Sequence, residues 1–286
     1  MDKMDIEFEQ GKYGERAVLQ STWSDQIFEQ IRSRRCSELE INHAKGWSGA
    51  DVSFLALVPW LQALKIIDLK ISSIEPIHHL HELRGLEITT YCETPIRFSA
   101  FPHLEDCGLE WRPKSETVFE CTTLKGLFLN NYTGRSLAPF SRLTNLESLA
   151  ILNAPIETLD GIGSLGKLRV LRLANLRKLG SLNGVQSLSM LEELEVNTCP
   201  KIGSINEVAA LTNLRKLHLN NDGKLESLKP LNAIHHLESI LFYESTDIVD
   251  GDLSPIVRQK NLARISFRNR RHYSHKREDF GAAYAN

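Results

Sequence analysis

The chain has 286 residues, is 42% hydrophobic and 24% charged, and carries a formal net charge of -2. This near balance of charge argues against a dedicated nucleic-acid-binding protein, which is usually basic. The longest apolar run, Phe54–Leu61, is far shorter than the roughly 20 residues that a membrane-spanning helix needs, so we expect no membrane span. The acidic N-terminus lacks an apolar signal region, and the five cysteines form no CxxC pair. Both features favour a cytoplasmic protein with reduced thiols.

The chain begins with a predicted cap over residues 1–35. Thr22–Asp25 has the form of a capping box, in which a hydroxyl at a helix start accepts from a backbone N–H of the first turn. Apolar residues then follow at helical spacing from Trp23 to Ile31. We therefore expect a helix over about 23–34.

An internal repeat fills residues 36–270. The pattern L-x-x-L-x-L, with x any residue, recurs eleven times at intervals of 19 to 28 residues. The units begin at Cys36, Leu64, Leu83, Leu104, Leu124, Leu146, Leu168, Leu191, Leu214, Leu237 and Leu262. All 33 residues at positions 1, 4 and 6 are apolar, whereas composition alone would give about 14. One unit cannot bury its leucine face alone, so the repeat predicts a stacked array.

Each unit has the pattern of a short strand followed by a return segment. Positions 4 and 6 alternate with positions 3, 5 and 7, which is the period of a strand, so 4 and 6 face the core and the others face out. The next apolar residues come three apart, as in Leu225, Leu228 and Leu231, and prolines such as Pro139 and Pro230 recur among them. This spacing favours a 3₁₀ or extended return path over a long α-helix.

The repeat resembles the leucine-rich repeat superfamily, most clearly in 146–159 and 191–202. Within that superfamily it is most similar to the short-repeat kind found in bacterial internalins and in the leucine-rich regulatory subunit of protein phosphatase 1. The resemblance implies an α/β solenoid. Its curved array would have about eleven parallel strands on the concave face, 3₁₀ or extended return segments on the convex face and a helical N-terminal cap.

The turn after each strand departs from the family pattern. The family carries an asparagine at position 9, whereas Asn153 and Asn175 lie at position 8, and Cys199 and Asp222 occupy position 9. Asparagine side chains bond neighbouring backbone groups and tolerate unusual backbone angles. We therefore expect the recurring asparagines to satisfy the backbone in these turns.

The outward positions predict three zones on the exposed face of the sheet. The first is acidic, with Glu38, Glu40, Asp68, Glu87, Asp106 and Glu110 against Lys70. The middle zone is apolar and small, and the last is mixed and then basic. An apolar centre between charged flanks is typical of a protein-binding surface, although scattered exposed apolar residues are common on any protein. The residues that we expect to contact a partner are Glu87, Glu110, Phe128, Ala150, Leu152, Val170, Arg172, Glu195, Lys216, His218, Tyr243 and Arg268.

Few residues suggest catalysis or metal binding. His272 and His275 offer two metal ligands, but a structural zinc site normally needs four. The segment Asp247–Asp252 lacks the glutamate that completes a calcium-binding EF-hand loop. The sequence contains no glycine-rich phosphate loop, no GxSxG and no HExxH motif. We therefore expect no catalytic residues, no cofactor and no metal.

The C-terminal end is basic. Between residues 261 and 279, six arginines and lysines outnumber two carboxylates, which leaves a net charge of +4. Such a patch suits RNA, phosphates or an acidic protein, but it can equally close the last repeat through Phe267 and Tyr273. We predict a basic C-terminal cap or tail over 271–286.

These features favour a non-catalytic protein–protein interaction module that binds one protein partner on the concave sheet and is a monomer when free. The resemblance to short bacterial leucine-rich repeat proteins implies an intracellular inhibitor or immunity-type protein. Two alternatives remain open. One is a regulatory or adaptor subunit of a housekeeping enzyme such as a phosphatase, and the other is nucleic-acid binding through the basic C-terminal end.

Overall fold

The computed structural model describes residues 5–284, and it describes side chains as far as Gly281. Residues 1–4 and 285–286, which belong to the predicted caps, lie outside the described residues. The chain divides into two compact units, Met1–Leu127 and Phe128–Asn286. None of the helices in the described part has the length and apolar character that crossing a membrane requires.

The first unit consists of a hairpin, one helix and four parallel repeat strands. Its elements are β1 (Ile6–Gln10), β2 (Glu15–Leu19), α1 (Asp25–Arg34), β3 (Glu38–Asn42), β4 (Ala63–Ile67), β5 (Gly85–Thr89) and β6 (Asp106–Glu110). Strands β1 and β2 are antiparallel, and β2 to β6 pair in parallel in chain order. The 3₁₀ segments of this unit are His43–Lys45, Ser53–Leu57, Glu75–His79, Phe98–Ala100 and Glu116–Glu120.

The second unit repeats the same strand and return segment. Strand β7 (Gly126–Asn130) spans the division, and the elements after it are β8 (Ser148–Leu152), β9 (Val170–Ala174), β10 (Glu193–Asn197), β11 (Lys216–Asn220), β12 (Lys224–Leu225), β13 (Ser239–Phe242), β14 (Asp247–Ile248), α2 (Ser254–Val257) and β15 (Arg264–Phe267). Strands β8 to β11, β13 and β15 pair in parallel in that order, while β12 pairs with β14 apart from them. The 3₁₀ segments are Ala138–Arg142, Ile162–Ser164, Val185–Ser187, Asn206–Ala210, Lys229–Ala233 and Arg277–Tyr284.

The predicted alternation of strands and 3₁₀ return segments is confirmed in both units. Within the second unit, Leu149, Leu171 and Leu173 are fully buried at positions 4 and 6. The return segments bury one residue of each turn in the same way, as Phe140 and Val185 show. Burying such a side chain stabilises the fold by about 1.5–3 kcal/mol, so the core between strands and return segments holds each unit together.

The N-terminal region differs from its prediction in two ways. Helix α1 is capped by Ser24, whose hydroxyl accepts from the Ile27 N–H at 3.3 Å, and not by Thr22. The antiparallel β1–β2 hairpin precedes the helix, and the sequence does not predict it. The hairpin strands are five residues long and lie outside the repeat pattern, so neither length nor periodicity reveals them. Among the described residues, the two hairpin strands and the eleven repeat strands make thirteen, which is two more than predicted.

The predicted register is wrong in the unit assigned to start at Leu64. Leu64 and Ile66 face the core, whereas Lys65 and Ile67 are half-buried on the outward side of β4. Position 1 of this unit is therefore Leu61. The stretch 61–69 contains two overlapping L-x-x-L-x-L frames, and periodicity alone cannot distinguish them.

This shift removes Ile66 and Asp68 from the predicted outward face. Ile66 is fully buried, and Asp68 is buried at the end of the strand, where its carboxylate accepts from the N–H groups of Lys70 and Ile71. Asp68 thus serves the turn, as short acidic side chains often do. It does not contribute to an acidic surface.

A left-handed residue turns the chain after strands β7 to β11 and after β13. Position 8 has a φ of 53° to 60° in six successive repeats, at Asn131, Asn153, Asn175, Thr198, Asn221 and Glu244. The Asn153 N–H donates to the Ala174 carbonyl in the next strand at 3.0 Å, and the Asn175 side chain donates to Asn153 Oδ1 at 2.5 Å. Asparagine tolerates this conformation better than most residues, which explains why it recurs at position 8.

Glu244 lacks the short polar side chain that makes this conformation tolerable for asparagine, and at a φ of 58° its Cβ lies close to the backbone. Glu244→Gly is therefore expected to raise the stability of the chain by about 1 kcal/mol in thermal unfolding. Glu226→Gly is the matched control, since Glu226 is exposed and its φ is not positive, and this change should lower stability. Equal losses of stability in both variants would contradict the account of the turn.

Candidate functional site

The open face of each unit is the side of the sheet that carries positions 3, 5 and 7. In the first unit, the turn of the hairpin lies across this face, and we call residues 11–14 the N-terminal arm. The Tyr13 hydroxyl donates to Asp106 Oδ2 at 2.6 Å, and the Tyr13 N–H donates to the Glu38 carboxylate. Lys12 forms an ion pair with Asp106 as well. Burial and the nearby Asp106 carboxylate raise the pKa of Tyr13.

Small residues make room for the arm. Ala63 and Gly85 occupy position 3 of β4 and β5, next to Tyr13. A Cβ at Gly85 would lie only 3.1 Å from Tyr13 Cε2 and 3.3 Å from the Ala63 Cβ. The Arg84 guanidinium lies over the Tyr13 ring, 4.9 Å from its centroid. The arm is therefore fitted to this part of the face.

Most carboxylates of the predicted acidic zone are engaged in contacts within the chain. Glu38 is 1% exposed and pairs with Arg16 at 2.7 Å. Glu40 is 2% exposed and pairs with Lys45 at 2.9 Å. Burial opposes ionisation of Glu40, but hydrogen bonds from Asn42 and Lys45 outweigh it and lower the pKa. The prediction of a free acidic surface is therefore wrong for these residues, because Arg16 and Lys45, which lie outside the predicted outward positions, pair with them.

Two predicted site residues of the first unit remain at outward positions. Glu87 is half-buried on β5 and lies 3.1 Å from Lys65 on β4. Glu110 is half-buried at the end of β6. These two residues are what is left of the predicted acidic zone outside the arm.

In the second unit, the open face presents three rows across β8 to β15. Position 3 contributes Ser148, Val170, Glu193, Lys216, Ser239 and Arg264. Position 5 contributes Ala150, Arg172, Glu195, His218, Leu241 and Ser266. Position 7 contributes Leu152, Ala174, Asn197, Asn220, Tyr243 and Arg268. Every predicted site residue from Ala150 onward therefore lies on this face, and Phe128 occupies position 5 of β7.

The apolar part of this face begins at Phe128, whose side chain is 40% exposed on β7. Ala150 and Leu152 on β8 and Val170 on β9 are half-buried, so each still presents part of its surface to solvent. Tyr243 is 37% exposed after β13. Large apolar and aromatic groups that remain exposed on a rigid sheet are typical of protein-binding surfaces.

A charge ladder, which we define as Arg172, Glu193, Glu195 and Lys216, crosses β9 to β11. The Arg172 guanidinium lies 3.2 Å from the Glu193 carboxylate and 3.5 Å from the Glu195 carboxylate, and Lys216 Nζ lies 2.6 Å from Glu193. The hydrogen bond from Lys216 is the main cause that lowers the pKa of Glu193; burial opposes this shift, and the charges of Lys216 and Arg172 add to it. Exposed pairs of this kind stabilise the fold little. The sequence pattern does not single out Glu193, although it is the centre of the ladder.

A cleft of about 420 Å³ opens beside the charge ladder. Its lining residues are Arg172, Glu193, Leu194, Glu195, Lys216, His218, Glu238, Ser239, Ala263 and Arg264. His218 Nε2 lies 3.2 Å from the Ser239 hydroxyl oxygen. Burial is the main reason that the pKa of His218 is lowered, so the neutral ring is favoured.

The basic C-terminal end is largely engaged with the last repeats. Arg270 Nε and His272 Nε2 lie 3.1 and 3.3 Å from the Asp247 carboxylate. Tyr273 is 5% exposed, and its hydroxyl accepts from the Ile248 N–H at 3.0 Å. These contacts support the interpretation that this segment closes the array.

The structure also bears on the candidate metal ligands. His272 contacts the Ile248 carbonyl oxygen, whereas His275 Nδ1 lies 2.8 Å from the Ser274 hydroxyl. Within residues 5–284 no group of three or more histidines, cysteines or carboxylates is placed to hold a metal ion.

One buried carboxyl group, Asp222, lies at the end of β11. It is 1% exposed, and its Oδ1 accepts from the Cys199 N–H at 2.7 Å. Its own N–H donates to the Thr246 hydroxyl oxygen at 3.0 Å. In the described part of the chain, no hydrogen bond reaches Asp222 Oδ2. Burial raises the pKa of Asp222 to about 7.

Solved structures identify the architecture, whereas sequence comparisons do not. No family model and no curated protein matches the chain. An internalin, InlF, from Listeria monocytogenes matches 88% of this chain and 75% of its own length, with a TM-score of 0.67 and 20% identity. The chain has the leucine-rich repeat fold.

Two further leucine-rich repeat structures are longer than this chain. The functional domain of InlJ from Listeria monocytogenes has a TM-score of 0.59 and 20% identity, and the match covers 80% of this chain and 48% of InlJ. The leucine-rich repeat ectodomain of the receptor kinase GASSHO1/SCHENGEN3 from Arabidopsis thaliana, in complex with CASPARIAN STRIP INTEGRITY FACTOR 2, has a TM-score of 0.52 and 16% identity. That match covers 86% of this chain and 35% of the receptor chain. At these identities the likeness shows the fold alone.

The contacts of the N-terminal arm can be tested at Gly85. Gly85→Val is expected to push Tyr13 off the sheet, because a Cβ added at Gly85 would lie only 3.1 Å from the Tyr13 ring. The free energy of unfolding should fall by about 1–3 kcal/mol. Limited trypsin digestion should then cut faster after Lys12. Gly166→Val is the matched control, because a Cβ at Gly166 meets nothing within 4 Å. An unchanged rate of cleavage after Lys12 would show that the arm does not depend on this contact.

Asp222 predicts a pH dependence of stability. Its folded pKa of about 7 lies above the unfolded value near 3.9, so the folded chain holds a proton that the unfolded chain releases. Stability should therefore fall as pH rises from about 4 to 7, by up to roughly 1.4 kcal/mol per pH unit from this group. Asp222→Asn removes this contribution and should be more stable than the parent at pH 8 but not at pH 4.

Urea unfolding at several pH values measures this effect. Asp160→Asn, which changes an exposed carboxyl group in the same unit, is the control and should follow the parent at every pH. A parallel pH profile for the Asp222→Asn variant and the parent would contradict the assignment.

Proposed function

We propose that this leucine-rich repeat chain is a non-catalytic protein-binding module that holds one protein partner on the open face of its second unit. The observation that carries the proposal is the exposure of Phe128 next to the apolar surface of Ala150, Leu152 and Val170. This apolar surface is flanked by the charge ladder, so the arrangement has the apolar centre and polar rim of a protein interface. The plant receptor ectodomain, solved in complex with another factor, is an example of the same fold with a bound partner.

The two units do not offer equal surfaces. In the first unit, the arm lies on the open face through Tyr13, and the carboxylates of Glu38 and Asp106 are engaged with it. In the second unit, Phe128 and Tyr243 keep more than a third of their surface exposed. This contrast favours the second unit as the contact surface.

The face of the second unit is organised before any partner arrives. Parallel strands fix the spacing of the rows, and Arg172 contacts Glu193 and Glu195 on the neighbouring strand. Binding to such a surface loses little conformational entropy, which favours high affinity. A standard interface of about 800 Å² per partner is the size that we expect.

Within this proposal, an intracellular inhibitor or immunity-type protein is the role that we test first. It predicts that loss of the chain poisons the cell, because the partner is then released. A regulatory or adaptor subunit of a housekeeping enzyme would instead leave the cell alive with a misdirected enzyme. We propose a reducing, cytoplasmic compartment because the cysteine number is odd and Cys36, Cys107 and Cys199 are buried as free thiols.

Nucleic-acid binding through the C-terminal end receives less support. Arg270 contacts Asp247, and Lys276 Nζ donates to the Arg270 carbonyl at 2.8 Å, so two of the six cations serve internal contacts. A salt-sensitive interaction would be the signature of this alternative.

The proposal predicts which substitutions abolish capture of the partner. Tagged chain is incubated with lysate of the native host at low and high salt, beside the double variant Phe128→Asp/Leu152→Asp. We expect one protein to co-purify stoichiometrically with the parent and to be lost by at least about tenfold from the double variant, since central aromatic and aliphatic contacts dominate interfaces. Circular dichroism verifies that the variant is folded.

The matched control is Met190→Asp/Val257→Asp. Both residues are about half exposed in the same unit, but they lie outside the three rows of the open face. This variant should retain the partner. Equal recovery by the parent and the Phe128→Asp/Leu152→Asp variant, or recovery of salt-sensitive nucleic acid alone, would refute the proposed surface.

A further inference from the structure

The charges on the open face of the second unit do not balance at its last strand. Within the charge ladder, the cations Arg172 and Lys216 contact Glu193. Glu238, in the wall of the cleft, pairs with Arg215. Arg264 on β15 is exposed, and in the part of the chain that the structure describes no carboxylate pairs with it. The cleft therefore ends in a cation without an internal counterion.

Three side chains line up at this end of the cleft. Lys216, Ser239 and Arg264 are neighbours in one row, because they pair in register on the adjacent strands β11, β13 and β15. Neighbouring strands lie about 4.8 Å apart, so the two cationic residues stand roughly 10 Å apart with the small serine between them. All three residues line the cleft of about 420 Å³. We call this group the cradle.

We propose that the cradle binds a carboxylate from an acidic side chain of the protein partner. The inference rests on the proposed function and names the chemistry of one contact within it. The Arg264 guanidinium offers a planar pair of donors that matches a carboxylate. Lys216 contacts Glu193, but an ammonium group has three N–H donors and can reach a second carboxylate. The small Ser239, whose hydroxyl oxygen lies 3.2 Å from His218 Nε2, stands between the two cations.

The surrounding charges favour a carboxylate over a phosphate. Glu193, Glu195 and Glu238 balance the three cations of the same lining, and only Arg215, which pairs with Glu238 from outside the lining, adds one positive charge in excess. A dianionic phosphate would be repelled by these carboxylates more strongly than a single carboxylate would be. The charge of the cleft therefore suits one glutamate or aspartate side chain of a protein.

Purified full-length chain tests the cradle without the native partner. Isotope-labelled protein is titrated with a blocked peptide of four glutamates, with a blocked peptide of four glutamines, and with inorganic phosphate, while backbone amide shifts are followed by NMR. We expect the glutamate peptide alone to shift the amides of Lys216, Ser239 and Arg264 in a saturable way. Arg264→Gln should weaken this binding about tenfold, the size expected for a lost charge-assisted contact.

The matched control is Arg142→Gln, which removes an exposed arginine from a return segment of the same unit and should leave the affinity unchanged. Three results would overturn the inference: equal shifts with the glutamine peptide, unchanged affinity in Arg264→Gln, or tighter binding of phosphate than of the glutamate peptide.

The two proposals fail separately. If the glutamate peptide binds at the cradle but the Phe128→Asp/Leu152→Asp variant still captures the partner, the cradle stands and the proposed contact surface is wrong. If the peptide does not bind while partner capture depends on Phe128 and Leu152, the inference about the cradle alone is refuted.

Discussion

The feature on which the rest of the structure depends is the in-register stacking of parallel strands, which buries the apolar residues of positions 1, 4 and 6. Because side chains alternate along a strand, burial of Leu171 and Leu173 forces Val170 and Arg172 onto the open face. The left-handed residue at position 8 then turns the chain away from the sheet, and its N–H bonds to the next strand. A shift of one residue would place charge in the core, so the register also determines which side chains a partner meets.

The two units share the same repeat but differ in what covers the open face of the sheet. In the first unit, Gly85 and Ala63 leave a shallow track that Tyr13 occupies, and the carboxylates of Glu38 and Asp106 hold the arm in place. In the second unit, the outward positions carry larger side chains that contact each other across strands instead. Ion pairs link neighbouring strands there, while Phe128 and Tyr243 stay exposed. The difference follows from which residues occupy outward positions, since the buried positions are alike.

Much of the architecture is readable in the sequence because it is local and repeated. The apolar spacing predicts the strands, the three-residue steps predict the 3₁₀ segments, and the asparagines at strand ends predict unusual backbone angles, as Asn153 shows. The contacts that escape prediction are long-range or ambiguous. Tyr13 reaches Asp106 across 93 residues, and no periodicity connects them. At Leu64, two apolar frames overlap, so the outward residues of β4 are decided by packing.

The central claim is that the open face of the second unit contacts the partner. Hydroxyl-radical footprinting of the chain, alone and with captured partner, measures this most directly because it reports the solvent exposure of individual side chains. Reactive groups are available on both surfaces: Phe128, His218 and Tyr243 on the open face, and Met190 and Val257 outside its rows. The account predicts that the partner protects the first three and leaves the other two unchanged. Protection of Met190 and Val257 with unchanged labelling of Phe128 and Tyr243 would contradict it.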